Sequence, residues 1–235
     1  MNDKLKVLQL CAVGFTVEKL LLPLIDEMSK LYDVTVACSY DETSERLNQA
    51  GYNIKNVTID RKIKPLSNIK SIWKLYKFIR SEKFHIVHVH TPVAGILGRI
   101  AARLAGVPVI VYTAHGFYFH DGMPLLKKKL FQMIEKIGAL LCHYIFTQST
   151  EDYNTAVSEG IVSKYKVTAI GNGVDLNKFD TNKISKEILL QTRQNLGISS
   201  DDIVVGIIGR VVREKGYIEW IKSAKAVAEK YKSVK

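Results

Sequence analysis

The sequence predicts an α/β fold, a doubly wound parallel sheet reaching to Ile170, followed by the start of a second, incomplete α/β domain. Three observations predict it. Short β-branched runs alternate with longer helical patterns almost from end to end. The runs are nearly continuous in apolar residues, as in strands covered by helices on both faces. After a turn-rich segment, Gly171-Asn172-Gly173-Val174-Asp175, the alternation starts afresh.

Each element has its own signal. Residues 5–11 read as a strand. Residues 17–31 have helical period, with Leu20, Leu21, Leu24, Ile25, Met28 and Leu31 on one apolar face. A strand at 34–38, a short helix at 42–50 closed by Gly51, and a strand at 54–59 follow. Next come a helix at 69–79, a strand at 86–90, and a helix at 93–104 stopped by Gly106. A strand at 109–113 leads through a long loop to a helix at 125–141 and a strand at 144–147. A helix at 151–158, closed by Gly160, precedes the last strand, 167–170. The restart supplies a helix at 184–196 ending at Gly197, a strand at 203–208 and a helix at 216–231. The reading is a domain over 1–175, a linker over 176–183 and the beginning of another domain over 184–235. One strand and two helices cannot enclose a core, so that domain is expected to be truncated.

Composition narrows the function classes. With 47% hydrophobic and 24% charged residues, the chain is neither disordered nor collagen-like. No apolar run reaches the ~20 residues of a membrane span, since 86–114 is interrupted by His88, His90, Arg99 and Arg103. The first residues lack a signal-peptide core, and a cytoplasmic protein is expected. Cys11, Cys38 and Cys142 sit in or beside apolar runs without zinc spacing, and read as buried, reduced thiols. The 34 basic residues exceed the 23 acidic ones, for a net charge of +11. Eight of the basic residues fall between Arg61 and Lys83. No nucleic-acid motif accompanies them, and nucleic acid is not expected as a partner.

In an open parallel sheet, ligands bind beyond the carboxyl ends of the strands. Gly14-Phe15 after the first strand, His90-Thr91-Pro92 after the fourth and Thr113-Ala114-His115-Gly116 after the fifth therefore share one rim. Thr91 fits an N-cap, with Pro92 in the first helical position. Gly14 opens a helix whose N–H groups either face an anion or a sugar ring, or merely accommodate a tight turn. His115, in an aromatic loop with Phe117, is a candidate catalytic group or a structural histidine. His88 and His90 lie on one side of their strand, without a third ligand spaced for a metal. There is no Gly-x-Gly-x-x-Gly or P-loop motif, which disfavours dinucleotide enzymes and P-loop NTPases.

In the restart, Gly209-Arg210-Val211-Val212-Arg213-Glu214-Lys215-Gly216 is either a solvated turn or a diphosphate site. Arg210 offers a fork, Lys215 a point charge and the following helix a positive end. Ile69, Ile72, Trp73, Tyr76 and Ile79 follow helical spacing opposite Lys70, Lys74, Lys77 and Arg80. Lys127, Lys128 and Lys129 form a second basic spot beside Leu125, Leu126, Leu130 and Phe131. Both stretches are open to two readings: core-facing stripes with solvated basic faces, or surfaces that meet anionic lipid headgroups.

Four motifs in series resemble the family 4 glycosyltransferases of the GT-B fold. They are His-Val-His-Thr-Pro at 88–92, Thr-Ala-His-Gly-Phe at 113–117, Gly-Asn-Gly-Val-Asp-Leu-x-x-Phe at 171–179 and Gly-Arg-x-x-x-Glu-Lys-Gly at 209–216. The loop from Thr113 to Leu125 is most similar to bacterial enzymes of capsule or exopolysaccharide assembly. The resemblance implies a Rossmann-like acceptor domain followed by a donor domain. It implies transfer of a sugar from a nucleotide diphosphate, UDP by expectation, to a lipid-linked or saccharide acceptor on the inner face of the plasma membrane. Retention of configuration, and no metal or other cofactor, are implied as well. By the same resemblance His115 contacts the donor sugar, Gly14 lies against the donor phosphate or sugar, and Arg210 and Lys215 neutralise the leaving diphosphate. Phe15, His90 and Phe117 are the expected acceptor-side residues of the crevice.

The family's late Glu-x7-Glu element is not matched. Glu151 and Glu159 have the spacing but precede the linker. The chain alone is therefore expected to be inactive. The alternative is a non-catalytic acceptor- or membrane-binding module completed by a partner chain.

Overall fold

The computed structural model describes residues 4–59 and 65–235. The chain divides into two compact units, Met1–Asn172 and Gly173–Lys235, and the linker expected at 176–183 falls inside the second.

The first unit is a Rossmann-like, doubly wound α/β domain. Its strands are β1 (Lys6–Val13), β2 (Asp33–Ser39), β3 (Ile54–Asn56), β4 (Ile86–His90), β5 (Val109–Ala114), β6 (Tyr144–Thr147) and β7 (Val167–Ala169). They form one parallel sheet in the order β3-β2-β1-β4-β5-β6-β7. Chain order reverses between β1 and β4, the switch point where such sheets open a crevice. The chain leaves β1 through α1 (Gly14–Thr16) and a π-helical stretch, Val17–Leu21, into α2 (Leu22–Leu31). Then follow α3 (Glu42–Gln49), α4 (Pro65–Glu82), α5 (Pro92–Leu104), α6 (Leu125–Leu140) and α7 (Thr150–Ser158).

Alternation along the strands splits the core in two. Leu8, Leu10, Val87, Val89, Ile110 and Tyr112 belong to a large cluster that also takes in α4 and α5. Gly98 of α5 fits against Leu10 and Val89 so closely that a Cβ would collide with both. On the opposite face Cys11, Val36, Cys38 and Ile54 pack with Val17, Leu21, Ile25 and Leu47. The three cysteines are buried and unbridged. In the larger cluster Arg99 is wholly buried between Tyr112, whose ring centroid is 4.1 Å from its guanidinium carbon, and Glu135, 2.9 Å away.

Three expectations need correction. β3 stops at Asn56 rather than at 59, because the Ser39 hydroxyl takes over the backbone of Ile59: it accepts from the Ile59 N–H at 2.7 Å and donates to its carbonyl at 3.0 Å. Val57 still donates its N–H to the Cys38 carbonyl of β2 at 2.9 Å, and both Val57 and Ile59 stay buried.

In α4 the core stripe is rotated from the one expected. Asn68, Ser71, Leu75 and Ile79 face inward, while Ile69 and Trp73 are 62% and 57% exposed beside Lys70, Lys74 and Lys77. Ser71 earns its inward place by donating to the Thr58 carbonyl at 3.0 Å. Arg61, Lys62 and Lys64 lie outside the described residues.

In the second unit, α8 (Lys186–Asn195) and α9 (Tyr217–Lys230) form, but 203–208 makes no strand. Among the described residues the run pairs only briefly: Ile203 forms a parallel bridge to Val234, and the Val205 N–H donates to the Lys235 carbonyl at 2.9 Å. An apolar run becomes a strand only where a neighbour takes its hydrogen bonds.

Candidate functional site

At the switch point a buried polar network replaces the apolar packing found elsewhere. Gln9 of β1 and His88 of β4 are register partners, and His90 pairs with Thr113 of β5. Side chains two apart share a face, so Gln9, His88, His90 and Thr113 meet on the α2 side of the sheet. His88 Nε2 is 2.7 Å from Thr113 Oγ1. His90 Nε2 is 2.8 Å from Gln9 Oε1, and His90 Nδ1 is 3.1 Å from His115 Nε2. The rings of His88 and His90 lie 4.1 Å apart, those of His90 and His115 5.3 Å apart.

Burial holds these histidines neutral. Desolvation, with a smaller push from His115, lowers the pKa of His88 to about 3. Desolvation and the two neighbouring rings hold His90 well below the usual histidine range. Burial lowers His115 too, with Gln148 pulling weakly the other way. Among the described residues no group of three or more His, Cys, Asp or Glu is arranged to hold a metal ion.

His115 sits half-buried at the carboxyl end of β5, in a turn whose next residue, Gly116, has φ +102, a conformation that favours glycine. Its Nδ1 is buried without a hydrogen-bond partner. One strand away, Thr91 takes the N-cap position of α5 with φ 64 and ψ 150, and its hydroxyl caps nothing. Thr91 Oγ1 is likewise buried and unpartnered. Strained backbone and orphaned polar atoms together are common at ligand sites. Phe117 is partly buried and stacks on Phe119 with centroids 5.1 Å apart. Phe15 is 56% exposed at the start of α1.

Two expected site residues have different surroundings. His90 does not line the crevice: it is 1% exposed, one layer beneath His115. Gly14 faces the N-terminus of α3, where a Cβ would lie 2.6 Å from the Ser44 nitrogen and 2.8 Å from the Ser44 Cβ. The Asp41 carboxylate caps α3 through the Ser44 N–H at 2.8 Å, and the backbone N–H groups of Phe15 and Gly14 lie near enough to stabilise its charge. Burial pulls the Asp41 pKa up, but these N–H donors outweigh it and hold it low. The helix-start N–H groups that the sequence leaves for an anion thus have a carboxylate of this chain, Asp41, beside them.

In the second unit, Val212 leads into a short 3-10 turn, Arg213–Lys215, and Gly216 with φ 70 turns the chain into α9. Tyr217 ties the loop back by donating to the Gly209 carbonyl at 2.8 Å. Arg210 and Lys215 are exposed on this loop. The two glutamates with Glu-x7-Glu spacing bracket α7, Glu151 in its first turn and Glu159 at its C-cap, the latter 3.9 Å from Lys128.

Of the lysines in the basic patches, Lys128 is spent on Asp121 at 2.8 Å, whereas Lys127 and Lys129 are exposed. On α6 Leu126, Leu130, Met133, Ile137 and Leu140 form an exposed stripe, from 49% for Leu130 to 86% for Leu126. Among the described residues no helix is long and apolar enough to cross a membrane. Gln9, Asp41, Thr91 and Gln148 belong to the site without having been picked out from the sequence. For Thr91 the order His-Thr-Pro suggested only a cap, and for Gln9 a lone polar residue inside an apolar strand was the available signal.

Residues 9–149 match the family model described as "Glycosyl transferase 4-like". The chain is 36% identical over 172 residues to an Escherichia coli UDP-Gal:alpha-D-GlcNAc-diphosphoundecaprenol alpha-1,3-galactosyltransferase, covering 73% of this chain and 44% of that one. It is 29% identical over 185 residues to a Staphylococcus aureus capsular polysaccharide biosynthesis glycosyltransferase, CapM, covering 76% and 47%. The chain thus spans about half the length of the curated relatives it matches. Among solved structures, the Anabaena protein HepE in complex with UDP and glucose superposes with TM-score 0.72 at 20% identity, over 98% of this chain and 59% of its own. A UDP-N-acetylglucosamine 2-epimerase from Rickettsia bellii gives 0.60 at 16%, over 98% and 60%. At these identities the likeness is one of fold, and the fold alone does not separate transfer from epimerisation.

Proposed function

The chain belongs to the glycosyl transferase 4-like family, and from that premise we propose that it moves a sugar from a nucleoside-diphosphate sugar, UDP-linked, to a lipid-linked diphosphate sugar in cell-surface polysaccharide synthesis. The acceptor class is taken from the Escherichia coli relative, whose name gives a GlcNAc-diphosphoundecaprenol as its substrate. The observation that carries the proposal is His115. It is a neutral, half-buried histidine at the carboxyl end of β5, inside the stretch that matches the family, and its Nδ1 is buried without a hydrogen-bond partner. A neutral ring there accepts a hydrogen bond from a sugar hydroxyl as the glycosidic bond breaks and the ring passes through an oxocarbenium-like state. Phe15 and Phe117 present apolar faces to the acceptor.

Arg210 and Lys215 neutralise charge that grows on the leaving diphosphate, which favours the transition state over the bound sugar nucleotide. Transfer is proposed to keep the anomeric configuration and to need no bound metal. The 235 residues alone are expected to turn over little: the two glutamates with Glu-x7-Glu spacing, Glu151 and Glu159, lie at the two ends of α7 in the first unit. The exposed Trp73 and the α6 stripe, with Lys70, Lys74, Lys77, Lys127 and Lys129 around them, suit a membrane surface carrying the lipid acceptor. Each basic residue near anionic headgroups adds about 1 kcal/mol.

In the intact enzyme, assayed with UDP-sugars and a lipid-linked diphosphate acceptor, His115→Ala should lower kcat at least about 100-fold with little change in Tm. Unchanged activity would remove His115 from the mechanism. No turnover of any nucleoside-diphosphate sugar would instead favour a non-catalytic acceptor- or membrane-binding module.

A further inference from the structure

We propose that Gln9, acting through His90, locks His115 into a single tautomer, with its proton on Nε2 and a bare Nδ1 reserved for a hydroxyl donor of the ligand. The inference deepens the reading of His115 as the crevice histidine and rests on that reading for its ligand. Its geometry does not depend on transfer.

Met28 anchors one end of the hydrogen-bonded series. Its thioether sulfur can accept a hydrogen bond but never donate one. Gln9 Nε2 donates to Met28 Sδ at 3.1 Å, which fixes the amide with Oε1 turned toward His90. An amide oxygen only accepts, so His90 Nε2, 2.8 Å away, carries the hydrogen. A neutral imidazole has one N–H, and His90 Nδ1 is then a lone pair. The atom facing it at 3.1 Å, His115 Nε2, must donate. His115 is left with Nδ1 unprotonated, and that nitrogen is buried without a partner. Burial, which disfavours the charged form of all three rings, keeps the one-proton count valid.

The rival arrangement fails at two places. Suppose Gln148 drew a proton onto His115 Nδ1. His115 Nε2 and His90 Nδ1 would face each other as two lone pairs unless His90 also switched. If it switched, His90 Nε2 and Gln9 Oε1 would be the two opposed acceptors, and turning the amide would set its oxygen against the Met28 sulfur. Each link therefore enforces the next, and Gln9 and His90 are positioning residues for a group they hold from below. The ligand chemistry this selects is a donor, a sugar hydroxyl, rather than a carboxylate or phosphate oxygen, which would meet Nδ1 as a second acceptor.

The test reads ring nitrogens directly. Long-range proton–nitrogen correlation on imidazole-labelled chain at pH 7 should show His90 and His115 protonated at Nε2 alone. Gln9→Leu, which removes the acceptor that sets the chain, should give mixed tautomers at both rings. Met28→Leu, a near-isosteric change, should loosen the amide and give a smaller admixture at the same two rings. The proposal is overturned if wild-type His115 carries its proton on Nδ1, or if both variants fold and keep the wild-type pattern. Should Gln9→Leu fail to fold, the wild-type spectrum and Met28→Leu still decide. Failure of the reading of His115 as the crevice histidine would appear separately, as unchanged activity in His115→Ala while the wild-type spectrum still shows the Nε2 protons.

Discussion

The two units are written in the same alphabet of apolar runs and turn residues, yet only one of them buries what it writes. In the first, β1 has six consecutive buried residues, and Arg99, Tyr112, Gln9 and His90 are enclosed with the aliphatic side chains. In the second, Ile203, Val204, Val205 and Ile208 are 50% exposed or more, and among the described residues none that is buried lies beyond Val167. Capping is sound in both: Ser185 caps α8 through the Ile188 N–H just as Asp41 caps α3 through Ser44. Local signals make helices in either unit, whereas a core needs a sheet with neighbours on each side.

The widest measurable gap should be in amide exchange. Amides of β1, β4 and β5 open only with global unfolding, while those of α8 and α9 open locally at little cost. With global stabilities of about 5–15 kcal/mol, protection in the two sets should differ by at least roughly 1,000-fold. Equal protection of α9 and β1 would break the comparison, because the second unit would then possess a core of its own.

That contrast also marks what could be read from the sequence. The bounds of β4 and β6 were legible at 86–90 and 144–147, since each apolar run is closed by turns and finds partners on both sides. The run at 203–208 looks the same in sequence, yet among the described residues only Ile203 and Val205 of it find backbone partners across a ladder, and the sequence does not show that. Crowded Gly14 was legible as a special glycine but not its neighbour, because Asp41 arrives from the end of another strand. His115 was visible as a histidine ending an apolar strand beside a glycine. Its control was not, since Gln9 meets His90 across 81 positions of sequence. In α4, apolar spacing found Ile72 and Ile79 but misassigned Ile69 and Trp73: Ser71 holds an inward position through its bond to the Thr58 carbonyl, and Asn68 is buried on the same side with its Oδ1 unpartnered.

Acid should separate the units next. All six histidines lie between positions 85 and 143, in the first unit. A histidine whose folded pKa is depressed is neutral in the fold and protonates more readily when unfolded, so its contribution is complete above the unfolded pKa of about 6.5. That contribution is lost as pH falls from there toward the folded value, which for His88 is about 3. By linkage, His88 alone makes the first unit less stable by on the order of 5 kcal/mol across that window. His90 and His115 act with the same sign. The two tryptophans, Trp73 and Trp220, fall one in each unit. In single-tryptophan variants the Trp73 signal should show an acid transition between pH 6.5 and 3, and the Trp220 signal should show none of comparable size. Coincident transitions would mean that the units unfold together.

The smallest effects come from a matched pair of ion pairs. Glu135 lies 2.9 Å from Arg99 with both side chains almost wholly buried, and Glu229 lies 3.9 Å from Lys225 with both mostly exposed. Arg99 has a further bond from Nε to the Gly95 carbonyl at 3.0 Å, but its Nη1 is already unpartnered. Glu135→Gln therefore leaves a buried cation without its counter-charge, at a cost of about 3–5 kcal/mol. Glu229→Gln removes a solvent-screened contact and should shift stability by no more than about 0.5 kcal/mol. Urea midpoints read from the two tryptophans test both at once: the Trp73 midpoint should fall steeply with Glu135→Gln, and neither midpoint should move with Glu229→Gln. A mild Glu135 variant would imply that water reaches Arg99, and a costly Glu229 variant that α9 packs more tightly than its exposure indicates.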